Sequence, residues 1–210
     1  ASERRKGAET RAANLRFPDL DLMFVMDTTG SMRHEIAEVR DNLLSIVRVL
    51  SKLAPSLHVG FVAYRDRGDL YITREFPLTA MNDAASAAIQ NWVAGLNADG
   101  GGSDTPEMVG AGLDKALDMP WRPHAEQRIV VIGDAAAHQP DWPRILSPAS
   151  AFRAGGSKAT RKISAIFTGS NQMGLLFFRE LAKAGGGDFV NHEGRMMESV
   201  MLTVLEPRRR

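Results

Sequence analysis

Three short segments of this 210-residue chain concentrate oxygen donors. The first is Asp27-Thr28-Thr29-Gly30-Ser31, and the second is Ser103-Asp104-Thr105-Pro106-Glu107. The third is a lone carboxylate, Asp134, directly after Gly133. Asp27, Thr29 and Ser31 alternate along a turn, so their side chains can converge on one side, and Gly30 permits that turn to be tight. Carboxylates and hydroxyls without thiols form a hard donor set. It suits Mg²⁺, Mn²⁺ or Ca²⁺ rather than zinc. Taken alone, the first loop reads equally well as a capping turn, because Asp, Thr and Ser before a helix accept hydrogen bonds from its first amides. Asp134 alone reads equally well as a turn residue. Three such loops in one chain favour a metal.

The elements around these loops must bring them together. Leu20 to Met26 is an apolar run that reads as a buried strand, and Asp27 follows it. A helix is expected next, with Ile36, Val39, Leu43, Ile46, Val47, Leu50 and Leu53 at three- and four-residue spacing, ending at Ala54-Pro55. Leu57 to Tyr64 reads as a second buried strand, and Tyr71 to Leu78 as an edge strand interrupted by polar residues. Asn82 or Asp83 caps a helix running to Leu96. The second donor loop precedes a helix that reaches Leu117, with Pro106 at its start. Arg128 to Ile132 is a third buried strand, ending at Gly133-Asp134. A loosely structured stretch with Pro140, Pro143 and Pro148 is expected beyond it, with a helix only over 149–153. Strands over 163–167 and 188–191 and helices over 175–184 and 196–205 complete the chain. Gly185-Gly186-Gly187 reads as a helix cap and turn. The N-terminal segment and residues 155–162 read as disordered. This alternation predicts an α/β fold with a mostly parallel sheet and helices on both faces. In such sheets ligands bind outside the carboxyl ends of the strands, where all three donor loops fall.

Composition narrows the function. Lys and Arg number 26 against 25 Asp and Glu, and hydrophobic residues make up 44%. This is ordinary globular composition. Five of the basic residues lie within residues 1–16 and three more are Arg208, Arg209 and Arg210. Without both ends the body holds 18 basic and 22 acidic residues, so it offers no electrostatic footprint for nucleic acid. No apolar run is long enough to insert into a membrane. The absence of cysteine excludes thiol catalysis, zinc–thiolate sites and disulfides. Residues 1–16 are expected to be a basic tail or linker, 17–206 a domain and 207–210 a basic end. A chain opening on Ala1 reads as a piece of a longer protein.

Asp27-Thr28-Thr29-Gly30-Ser31-Met32 after an apolar strand resembles the metal-ion-dependent adhesion site of von Willebrand factor type A domains, whose motif is D-x-[ST]-x-S. The likeness runs from Asp19 to Leu205 and is closest to the bacterial DTTGSM type. It extends to the I-like domain of integrin beta subunits through Val59-Gly60-Phe61 leading to Asp66, through Asp104-Thr105-Pro106-Glu107, and through Asp134 to His138. The resemblance implies a Rossmann-like fold with about six strands, one of them an antiparallel edge strand. It implies Mg²⁺ or Mn²⁺ held by Asp27, Thr29 and Ser31, with Asp134 completing the site. From the second loop Glu107 is the favoured ligand, with Ser103 and Thr105 as alternates. A neighbouring Ca²⁺ site would use Asp66, Asp104 and Glu107, although an Asn of that pattern is Gly102 here. The implied partner is a protein that presents Asp or Glu to the metal, with other domains of the full-length protein as a second class of partner.

An Mg²⁺-dependent hydrolase such as a phosphatase is the competing class, because strand-end Asp and Mg²⁺ also suit phosphoryl chemistry. Against it, Thr29 stands where a second Asp would pair with Asp27, and no Lys lies in the donor loops. A dinucleotide-binding oxidoreductase is excluded, since no G-x-G-x-x-G joins the first strand to its helix. Arg67-Gly68-Asp69 spells an integrin-binding tripeptide but reads as an ordinary turn between two strands. His138 reads as a loop hydrogen-bonding residue, and Trp92, Trp121 and Trp142 as packing residues, with Trp142 in a loop that could rim a contact surface.

Overall fold

The computed structural model describes residues 19–100, 108–156 and 161–205. Six strands form one sheet in the order β3-β2-β1-β4-β5-β6. They are β1 (Asp19–Asp27), β2 (Ser56–Tyr64), β3 (Thr73–Ala80), β4 (Glu126–Gly133), β5 (Arg161–Phe167) and β6 (Gly186–Asn191). β1 lies at the centre, parallel to both β2 and β4. Only β3 is antiparallel, and it closes one edge with Pro77, which has no amide to offer a further strand. The α/β architecture with one antiparallel edge is therefore as expected.

Among the described residues six α-helices cover the sheet: α1 (Arg33–Leu53), α2 (Asp83–Ala94), α3 (Val109–Leu117), α4 (Trp142–Ala154), α5 (Gln172–Gly185) and α6 (Met196–Val204). Alternation along β1 builds two cores. Leu20, Leu22, Phe24 and Met26 face the cluster formed with α1, α2 and α6. Met23 and Val25 face the cluster formed with α3, α4 and α5. A central strand buried on both faces must be continuously apolar, which is why the first run carries no polar alternation. Among the described residues no helix is long and apolar enough to cross a membrane.

Three expectations need correction. The proline-rich stretch is not loose: α4 runs from Trp142 to Ala154. Pro143 falls in its first turn, where the missing amide costs nothing, whereas Pro148 lies inside. Ile145, Ala149 and Phe152 are buried at helical spacing, and that burial holds the segment helical despite the lost hydrogen bond. The glycine triplet caps the helix as expected but forms no separate turn. α5 ends at Gly185, Gly186 adopts a left-handed φ of 68°, and β6 starts at once. A Cβ on Gly187 would lie 2.4 Å from the Ile163 carbonyl oxygen, so the triplet lets two backbones touch. Arg161 and Lys162, expected to be disordered, open β5. Residues 157–160 and both basic ends lie outside the described residues.

The sheet's register is pinned at the end opposite the donor loops. Asp21, 1% exposed, accepts hydrogen bonds from the Arg122 backbone amide at 2.8 Å and from Arg122 Nε at 2.7 Å. The same guanidinium donates to Ser56 Oγ at 2.7 Å and to the Ser56 carbonyl at 2.9 Å. One side chain thus joins the starts of β1 and β2 to the segment entering β4. Arg122→Ala strands a buried carboxylate and is expected to destabilise the fold by about 3 kcal/mol in urea denaturation. A loss below about 1 kcal/mol would place the pair among weak surface contacts.

Candidate metal centre

Strand order decides which loops meet. β1 sits between β2 and β4, and the helix after β1 covers one face while the helix after β4 covers the other. The loops leaving β1 and β4 therefore part and open a crevice at the carboxyl edge. Asp27 ends β1, Asp134 follows β4, and Asp66 lies two residues beyond β2.

Asp27 is fully buried. Its Oδ1 accepts from the Thr29 amide at 2.8 Å and from Thr29 Oγ1 at 2.7 Å. Thr29 Oγ1 and Ser31 Oγ lie 3.4 Å apart. The alternation read from the sequence therefore does bring the three side chains together. Among the described residues Asp27 Oδ2 has no hydrogen-bond partner. An orphaned carboxylate oxygen in the interior is costly, and it is the feature a bound cation would satisfy. Burial pushes the Asp27 carboxyl from an ordinary 3.8 up to about 7. The Thr29 amide and hydroxyl oppose that rise, while the negative charges of Asp134 and Asp66 add to it. Desolvation, more than repulsion among carboxylates, is the leading cause.

Ser31 is exposed and lies in a short 3-10 turn, Gly30–Met32, that leads into α1. Asp134 is half-buried, and its carbonyl accepts from Asn171 Nδ2 at 3.3 Å. Asp66 is 5% exposed. Ser103, Asp104, Thr105 and Glu107 lie outside the described residues. Gly100 O accepts from the Gly30 amide at 3.3 Å, and the Asp99 amide donates to Thr28 O at 3.4 Å, so residues 99–100 lie alongside the first loop.

Sequence reasoning missed the residues that hold the first loop. Thr28 Oγ1 donates to the Tyr64 carbonyl at 3.0 Å and lies 2.9 Å from Tyr71 Oη. Arg65 stacks over the Tyr71 ring at 4.5 Å and donates through Nη2 to the Asn97 carbonyl. Tyr64 is wholly buried below the loop. A Cβ on Gly133 would meet its hydroxyl at 2.6 Å, which explains a glycine at the end of β4. The only local signal for this clamp was a Thr between two candidate ligands.

Arg67-Gly68-Asp69 is indeed a turn, with Gly68 at φ 92°. The half-buried Asp69 carboxylate packs against Gly100, where a Cβ would meet Oδ1 at 2.1 Å. His138 lines a cleft of about 110 Å³ with Arg67, Asp141 and Arg144. Trp142 belongs to α4, donates to the Ala137 carbonyl at 2.9 Å and stacks on Phe177 at 5.2 Å.

The family comparison bears directly on this geometry, because the von Willebrand factor type A domain matches residues 21–174. The chain belongs to that family. The alpha-protein kinase vwkA of Dictyostelium discoideum is 29% identical over 126 residues, which is 59% of this chain and 19% of that protein. The chain thus spans about a fifth of this curated relative. The von Willebrand factor type A protein from Catenulispora acidiphila has the same fold, with a TM-score of 0.62 and 17% identity over 87% of this chain and 41% of that one. So does proximal thread matrix protein 1 of the mussel byssus, described with a zinc-occupied metal-ion-dependent adhesion site. Its TM-score is 0.65, with 16% identity over 89% of this chain and 45% of that one.

Proposed function

We propose that this von Willebrand factor type A domain is a metal-dependent protein-binding module. Asp27, Thr29 and Ser31 would hold Mg²⁺ or Mn²⁺ together with Asp134 and the second loop, where Glu107 is the favoured ligand and Ser103 and Thr105 the alternates. The single observation that carries this reading is the buried, unpartnered Asp27 Oδ2 within a cluster of hydroxyls. A hard divalent cation fits that donor set. When bound, it supplies Lewis acidity at an open coordination position, and a partner's Asp or Glu fills that position. The buried placement of Asp66 beside Asp27 supports a neighbouring Ca²⁺ site with Asp104 and Glu107.

The chain's own part is positional. Thr29 holds one oxygen of Asp27 and leaves the other turned to the site. The Thr28–Tyr71 contact and the Gly30–Gly100 bridge keep the loop from collapsing inward. Interaction modules are what the family chiefly provides, which supports binding over hydrolysis. Acetate serves as the simplest carboxylate probe. In millimolar Mg²⁺ it is expected to shift the amide resonances of residues 28–32 and 134–135. With EDTA, or in Asp27→Ala, it should not. Equal shifts with and without metal would overturn the reading.

A further inference from the structure

A second group of ligand-type side chains gathers where the first turns of α1 meet the end of β6 and the start of α6. His34 and Glu38 stand one helical turn apart, with His34 Nε2 3.4 Å from Glu38 Oε1. The other carboxylate oxygen, Oε2, faces His192 Nε2 at 3.7 Å. His192 follows β6, and its side chain is 4% exposed. Its Nε2 is buried and has no hydrogen-bond partner among the described residues. Its Nδ1 lies 3.0 Å from Ser199 Oγ on α6. Glu38 Oε2 also accepts from the amide of Met196, the first residue of α6, at 2.9 Å.

With the proton on Nδ1, donated to Ser199, Nε2 presents a lone pair to a carboxylate, and two acceptors face each other. A cation between them satisfies both. Zinc binds His nitrogen and carboxylate oxygen at close to 2.1 Å, so neighbouring donors on a tetrahedral ion lie about 3.4 Å apart. The separations here are 3.4 and 3.7 Å. The surroundings also match a ligand shell, because Ser199 orients the imidazole and the Met196 amide orients the carboxylate. Imidazole with carboxylate favours zinc over Mg²⁺, unlike the all-oxygen set at Asp27.

We propose that His34, Glu38 and His192 form a separate Zn²⁺ site, with water as the fourth ligand, that clamps α6 onto α1. Among the described residues no three such side chains already converge on one point. His192 and Glu38 are held in place, and His34, 74% exposed, closes the site by turning its side chain. α1 begins at the Asp27 loop, so the clamp would tie that loop's helix to the last helix of the domain.

The test uses Asp27→Ala protein, which lacks the buried carboxylate of the first site, so that neither reading can stand in for the other. Calorimetry with Zn²⁺ is expected to give one equivalent bound, and Co²⁺ to give the absorption bands of a tetrahedral ion. Adding His34→Ala, an exposed change that spares the fold, should weaken binding about tenfold or more. Adding His192→Gln should abolish it, and Zn²⁺ should slow hydrogen exchange over residues 196–204 only where His192 is present. Unchanged Zn²⁺ affinity after both histidine substitutions would overturn the proposal. So would absence of Zn²⁺ binding by folded Asp27→Ala protein, which would mean that His192 carries its proton on Nε2 and pairs with Glu38 directly.

Discussion

Asp27→Ala is expected to lower Mg²⁺ affinity at least about a hundredfold, or about 2.8 kcal/mol. Asp27 is the one carboxylate of the first loop, and it is fully buried with one oxygen unpartnered among the described residues. A full charge at short range in such surroundings outweighs the dipole of a hydroxyl. Thr29→Ala should therefore weaken binding less: it removes the hydroxyl contact to Asp27 Oδ1 but keeps the backbone amide contact. Calorimetric titration of the three proteins with Mg²⁺ gives the ranking. Equal affinity of wild type and Asp27→Ala would remove Asp27 from the site.

The metal-free protein should lose stability as pH rises, in the opposite sense to a salt-bridged carboxylate. Asp27 titrates near 7 in the folded chain and near 3.8 in the unfolded chain. Below 3.8 the group is protonated in both states and costs nothing. Between 3.8 and 7 the unfolded chain ionises first, so each rise in pH favours unfolding. Above that window the full cost is in place, on the order of 4 kcal/mol for this one buried group. Mg²⁺ replaces the proton, so its affinity should climb through the same window. A ligand at a hundredfold excess over its Kd adds about 2.7 kcal/mol, which for a domain of this size is a rise in Tm of about 5–10 °C. Thermal melts with EDTA and with millimolar Mg²⁺ should separate widely at pH 8 and little at pH 5. Repeating them on Asp27→Ala isolates the contribution of this group, since the variant should lose both the pH slope and the metal response. Superimposable wild-type melts at pH 8 would show that no metal binds the folded chain.

The sequence by itself determined the elements and the first donor loop. A strand buried on both faces needs an unbroken apolar run, and Leu20 to Met26 supplies one. A helix against a sheet needs apolar residues every three or four positions, and Ile36 to Leu50 supplies them. Asp27, Thr29 and Ser31 lie within five residues, so one turn is enough to gather them. Such signals are legible because backbone geometry alone relates residues that are close in the chain. Tertiary structure decided the rest. Burial of α4 overrode two prolines that locally argue against a helix. Strand order brought Asp66 and Asp134 to Asp27 from separate strands, and only the packed interior could leave one Asp27 oxygen unpartnered and raise its pKa. Glu38 meets the amide of Met196 across 158 residues of chain and faces His192 beside it. No periodicity encodes a contact of that span; it exists because β5 and β6 carry α6 back across the sheet onto α1.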